Sequence, residues 1–508
     1  MDGAVQVAQC GVKKPLTARS GQSAAMSGKS SDIRIIRVEP RFVRVQAREP
    51  LKFGAAVLEA ATYCLVEAEV ENRAGSTGVG HGAIVLSDFW AFPDPTVPHP
   101  VREKAMARAA ELFCKRAANH RQYGHPIDIY LDLEDELPAV AKEASAQLGL
   151  RVALPRLAAL VSASPVDAAL HDAYGIANGI STYDGYGPDC MEHDMSRFLG
   201  RQFKGRHIPA YLRRRRPRHL DAFHLVGGLD ALREADVRAD ASDDGLPNSL
   251  EAWTKRDGLH CLKIKLKGTD LQWDLDRIQQ VHRVARAVHR RMGIRELHLS
   301  LDTNEQCESP GYVVEMLMKL KERDRLAYDC VRYIEQPTAR DIRRNRHDMG
   351  RVAALKPVVI DESLTSLEDF ELALELHWSG IALKTCKGHT WTLLFAALAQ
   401  ERRILLTFQD LSNPGISLVH SAGLAARLRG VNAIEANSCQ YFPQANLAAA
   451  RVHPGLFRRR GGRVCLESVR GPGLGLRWDE IGADMACGGV TGPLRPGSGL
   501  RFAFDRNP

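Results

Sequence analysis

The chain has 508 residues, of which 44% are hydrophobic, and a formal net charge of +8 spread along its length. That is enough apolar material for a large core and two domains, and no run of eighteen apolar residues suggests a membrane span. Eleven scattered cysteines, odd in number and without a Cys-x-x-Cys pair, suit a reducing cytoplasm better than a disulfide framework.

Residues 1–31 are rich in Ser, Gly, Ala and Lys without a periodic apolar face, so a disordered tail is expected there. From Ile33 the pattern changes. Ile33–Gln46 and Thr62–Asn72 alternate apolar and polar residues, as strands do, and helical stretches follow over 101–118, 135–148 and 164–178. Residues 32–218 therefore read as an α+β domain. Within them, Gly78-x-Gly80-x-Gly82 lacks the spacing of a nucleotide loop. The basic run Arg213–Arg216 has no aromatic interleaving, which favours a solvated linker over a nucleic-acid surface. Residues 219–445 alternate strands with helical patterns at 272–292, 312–326 and 367–378, the signature of a parallel sheet closed into a barrel. Residues 446–508 read as a C-terminal segment, with coil around Gly471–Leu476 returning to the first domain.

Five strands of the second half end on polar residues suited to one reaction. The segments are Leu262–Lys267, Leu299–Asn304, Tyr333–Pro337, Val358–Ser363 and Ile381–Lys387. They present Lys265, Asp302, Glu335, Asp361 and Lys384 at steps of 37, 33, 26 and 23 residues, each about one βα unit. Three carboxylates can hold a hard divalent cation, and a lysine on either side can move a proton. In a parallel barrel these residues would all lie at the C-terminal strand ends, where such barrels carry their chemistry. Lys263 shares the strand parity of Lys265, so both point the same way.

These motifs, namely Lys263-x-Lys265, Asp302-x-Asn304, Glu335-Gln336-Pro337, Asp361-Glu362-Ser363 and the pair Lys384 and Lys387, resemble those of the enolase superfamily. The similarity is to its muconate-lactonizing and dipeptide-epimerase branch and spans residues 33–480. Val166–Gly175 and the Gly-Leu-Gly-Leu near the end are weaker echoes. The resemblance implies an α/β fold, a modified TIM barrel (β/α)7β with an α+β capping domain built from the N-terminal part and the C-terminal tail.

It further implies Mg²⁺, or Mn²⁺ in its place, bound by Asp302, Glu335 and Asp361. Lys265 and Lys384 would be acid/bases on two faces of a small-molecule carboxylate substrate, with Lys263 beside them. The expected activity is that of an isomerase or lyase that abstracts an α-proton to give a metal-stabilised enolate, by epimerisation, cycloisomerisation or dehydration. A desolvated lysine of lowered pKa would serve as base. Asn304 and Glu435 are expected to bind substrate, and Glu435 could instead contact Lys384. A homo-oligomer in the cytoplasm, with no nucleic-acid or membrane partner, completes the expectation, and a non-catalytic binding or regulatory homologue is the alternative.

Some residues depart from the family pattern. Gly388-His389 follows the sixth-strand lysines where relatives carry Gly-Gly, and His81 stands where many have glutamate. The seventh strand ends on Gln409-Asp410 without the histidine that mandelate-racemase relatives use. The eighth lacks the Asp-x-Asp with which alanyl-glutamate epimerases hold an ammonium group.

Overall fold

Alternating apolar residues build an antiparallel meander at the N-terminal side. β1 (Ile33–Phe53) pairs with β2 (Ala56–Asn72), which pairs with β3 (Thr77–Val85). The computed structural model describes residues 28–53 and 56–482, so the tail expected over 1–31 lies outside it up to residue 27. One sheet face is covered by helices His99–Asn119 and Arg156–Ala177.

Gly78, Gly80 and Gly82 are not in a loop; they lie in β3, pressed against the second of these helices. A Cβ on Gly80 would come 2.1 Å from the backbone nitrogen of Ala173, and one on Gly82 would come 2.0 Å from Pro165 O. The helix itself begins eight residues before the expected position 164, because Pro165 sits inside it. Proline has no N–H for the carbonyl of Val161, and Ser164 Oγ donates to that oxygen instead at 2.9 Å. The helix expected at 135–148 is Leu137–Gln147, and a further helix, Pro126–Glu134, precedes it.

The second half is a parallel sheet. Its strands are β4 (His219–Val226), β5 (Cys261–Lys265), β6 (His298–Asp302), β7 (Val331–Glu335), β8 (Val358–Ile360), β9 (Gly380–Leu383), β10 (Leu405–Phe408) and β11 (Ala433–Glu435). They run in the order β10-β9-β8-β7-β6-β5-β4-β11 and curl so that β10 comes alongside β11, a seam without a ladder. β12 (Arg463–Cys465) adds antiparallel to β4.

Helices between the strands cover the outside. In Leu271–Met292, Leu275, Ile278, Val281, Ala285 and Val288 are buried at helical spacing. Each larger member contributes roughly 1.5–3 kcal/mol by leaving water. Asp270 caps the start by accepting from Trp273 N, and Gly293 ends it in the left-handed region at φ 71°. Inside the barrel, Phe223, Cys261, Tyr333 and Val359 form a layer below the lysines of β5.

The chain then returns to the first sheet. Leu474 N donates to Asp172 at 2.7 Å, and the Trp478 ring stacks on His81 at 3.8 Å. Arg213 donates to Leu428 O and Asn432 Oδ1, which ties part of the basic run to the barrel. Among the described residues, no helix is long and apolar enough to cross a membrane.

Candidate active site

The regular βα spacing brings the five predicted strand ends to one mouth of the barrel. Asp302 and Glu335 are direct neighbours across the β6–β7 ladder, and Lys265 is paired with Asp302 across β5–β6. Lys384 follows β9, four strands from β5 in the eight-strand order, so the two lysines approach the mouth from opposite walls. Lys263, Lys265, Glu335 and Lys384 line one pocket with Asn304, Glu435, Asp410, Asn437, Leu225 and Trp90. Asp302 and Asp361 are buried just behind it.

Ion pairs bind this set together. Lys265 Nζ lies 2.5 Å from Asp302 and Lys384 Nζ lies 2.6 Å from Asp361. Lys263 reaches three carboxylates, Glu335 at 2.7 Å, Glu435 at 2.9 Å and Asp302 at 3.2 Å. Gln409 donates to the other oxygen of Glu335 at 2.7 Å. Lys387 is not solvated but supports Asp361: its ammonium donates to that residue's carbonyl and carboxylate. Asn304 turns with φ 44° and donates its backbone N–H to Asp302 at 2.8 Å. Glu435 meets Lys263, not Lys384.

Protonation follows from burial and these partners. Burial works against charge on Lys384, but Asp361 outweighs it and holds the lysine above the ordinary range. The same balance, struck by Glu335, Glu435 and Asp302, raises Lys263. Burial pushes Asp302 and Asp361 up, yet their lysines more than reverse this, and Asp361 falls to about 2. Burial and the charge of Asp302 instead raise Glu335 well above the carboxylate range.

The donor set fits a hard divalent cation in its chemistry, since three buried carboxylates end adjacent strands and two of them repel each other. Their oxygens are not all drawn within 4.8 Å of one another, because Lys263 and Lys384 do the neutralising.

Two contributors, Asp410 and Glu362, were missed in the sequence. Asp410, pushed up to about 7 by burial and the charge of Glu435, follows the end of β10 by two residues, close to where the recognised residues stand on their strands. That position was the available signal. Glu362 is raised to about 8 by burial and Asp361, and it accepts from Trp90 Nε1 at 2.9 Å. The Trp90 ring lies 4.6 Å from Lys384 Nζ, so one residue of the first domain both packs and closes the pocket. Arg340 anchors the short helix Asp88–Ala91 that carries this ring by donating to Trp90 O while it grips Glu305.

Comparison with known proteins agrees with this geometry. Residues 246–481 match the family model described as Enolase C-terminal domain-like. An aromatic dipeptide epimerase of Herpetosiphon aurantiacus is 27% identical over 265 residues, 51% of this chain and 67% of that protein. Among solved structures, a mandelate racemase/muconate lactonizing protein from the same organism superposes with a TM-score of 0.55 at 17% identity, covering 87% of this chain and 97% of the other. The L-Ala-D/L-Glu epimerase of Bacillus subtilis gives 0.52 at 17% identity over 79% and 89%. A muconate lactonizing enzyme of Pseudomonas fluorescens gives 0.52 at 18% over 87% and 96%. At such identities the structural likeness is one of fold. Residues 246–481 thus match the enolase C-terminal domain-like model, and the chain is similar in sequence to a dipeptide epimerase and in fold to enzymes of the mandelate racemase and muconate lactonizing kind.

Proposed function

We propose that this enzyme takes an α-proton from a small carboxylate substrate and returns it from the other side, as a Mg²⁺-dependent epimerase with Lys265 and Lys384 as the two acid/bases. The observation that carries this reading is their placement on opposite walls of one pocket, with the carboxylate row between them. A 1,1-proton transfer needs one base on each face, which cycloisomerisation and dehydration do not.

Asp302, Glu335 and Asp361 would hold Mg²⁺, or Mn²⁺, which supplies charge stabilisation to a substrate carboxylate as its α-carbon loses a proton. The remaining work falls to the chain. Whatever neutralises Asp361 leaves burial to dominate at Lys384, and burial favours the uncharged amine that can accept a proton. Lys263 keeps its charge through three carboxylates and fixes Glu335 and Glu435 in place. Trp90, held by Glu362 and Arg340, excludes water from the Lys384 side. In this reading residues 32–218 and the segment after 446 form the cap that completes the pocket.

The names of the matched relatives make dipeptides the first substrates to test, followed by N-acyl amino acids, lactones and sugar acids. Glu435 and Asn437 stand at the eighth strand end but are engaged with Lys263 and with Leu225 N, so the ammonium end of a dipeptide would have to compete for them. The test is mass spectrometry of such a library incubated with enzyme and Mg²⁺ in D₂O. Gain of a single deuterium, absent with Lys265→Ala, is the expected result. Calorimetry should show weaker Mg²⁺ binding in Glu335→Ala. No exchange together with no Mg²⁺ binding would overturn the proposal and favour a non-catalytic homologue.

A further inference from the structure

At the opposite mouth of the barrel, strand register gathers a second set of ligating side chains. Asp221 is near the start of β4, His260 immediately precedes β5, and Cys261 begins it. One carboxylate oxygen, one imidazole nitrogen and the thiol sulfur lie within 4.8 Å of one another, the one such His/Cys/carboxylate trio among the described residues. His260 Nε2 is 3.3 Å from Asp221 Oδ1. Cys261 faces the barrel interior with Phe223 and Tyr333, far along β5 from the catalytic lysine end. His298 is paired with Cys261 across the β5–β6 ladder and adds a second imidazole to the same strand-start row.

We propose that Asp221, His260 and Cys261 form a binding site for a borderline transition-metal cation such as Zn²⁺ or Co²⁺, separate from the catalytic carboxylates. Donor type decides the metal class. A thiolate and an imidazole with one carboxylate suit these ions, whereas Mg²⁺ prefers oxygen alone. Charge also balances: a dication with one thiolate and one carboxylate is neutral, and the Cys261 thiol gives its proton to solvent on coordination.

Arg463 pairs with Asp221 at 2.9 Å and is the competing cation. Its side chain is more than half exposed, so it can release the carboxylate into water at small cost. Asp221 itself is part-exposed and offers the path of entry. The site would tie β4 to β5 at the base of the barrel and act on stability, not on the reaction.

The probe is Co²⁺ alone, added to the full-length, reduced, chelator-treated protein while its near-ultraviolet and visible absorption is followed. A thiolate-to-cobalt band that saturates at one equivalent is expected. It should vanish in Cys261→Ser and persist in Asp302→Ala, which separates it from binding at the catalytic end. Because a core thiol change can unsettle the fold, Asp221→Asn gives a second arm at a part-exposed position. Loss of a metal ligand should weaken Co²⁺ binding by at least the 10–100-fold that outer-shell changes cost. No band in the wild type, or an unchanged band in both Cys261→Ser and Asp221→Asn, would overturn the assignment.

Discussion

Two buried polar clusters meet at the segment Lys387-Gly388-His389, and they are built on opposite principles. On the cap side, His171 Nδ1 bonds Tyr186 Oη at 2.8 Å, and the same hydroxyl bonds His389 Nε2 at 3.0 Å. Asp167 accepts from the backbone and hydroxyl of Thr390, both at 2.8 Å. Burial drives the three imidazoles His125, His171 and His389 far below their ordinary pKa, His171 to about 3, so this cluster is neutral in its histidines. On the barrel side, equally buried Lys263, Lys384, Asp302 and Asp361 hold their charge because each has an opposite partner within about 3 Å, while Glu335 beside Asp302 is pushed up. Burial alone therefore does not mark a reactive site. What marks it is retained charge that a substrate or cation can redirect.

Four changes would break or sharpen this contrast. Lys265→Ala and Lys384→Ala should each lower turnover about 1,000-fold, the scale of a lost acid/base, while circular dichroism stays native. Asp361→Ala should leave Lys384 and Lys387 buried without their carboxylate and destabilise the fold by about 3–5 kcal/mol in urea titration. A small loss there would mean that water reaches these lysines freely. In the cap, Gly80→Ala forces a methyl against the Ala173 backbone and should cost about 1–3 kcal/mol without touching the charged set.

The smallest effect is a pH slope. His171 has a folded pKa near 3 and an unfolded one near 6.5, so its contribution is present above the unfolded value and lost as pH falls toward 3. Unfolding midpoints between pH 6 and 4 should carry roughly 1 kcal/mol per pH unit from this residue, removed in His171→Asn. An identical slope in the variant would show that the imidazole is charged in the folded protein.

Much of the site was legible because its signals are local. Period-2 strands ending on Lys265, Asp302, Glu335, Asp361 and Lys384 announce themselves within a few residues, and βα spacing places them in order. What was lost depended on partners distant in the chain. The need for glycine at 78, 80 and 82 is set by the helix about ninety residues later that presses on them. Pro165 hides the first two turns of that helix, which survive because Ser164 takes the freed carbonyl. The bond between Trp90 and Glu362 spans 272 residues and leaves no local trace.

The most direct test of the two-lysine account is stereochemically resolved exchange. Each epimer of an active substrate is placed in D₂O with Mg²⁺ and either Lys265→Ala, Lys384→Ala or the double variant, and α-proton loss is followed by NMR. The account predicts that each single variant stops exchange of one epimer while the other continues, and that the double variant stops both. Exchange that survives in the double variant, or that falls equally for both epimers in each single variant, would contradict it.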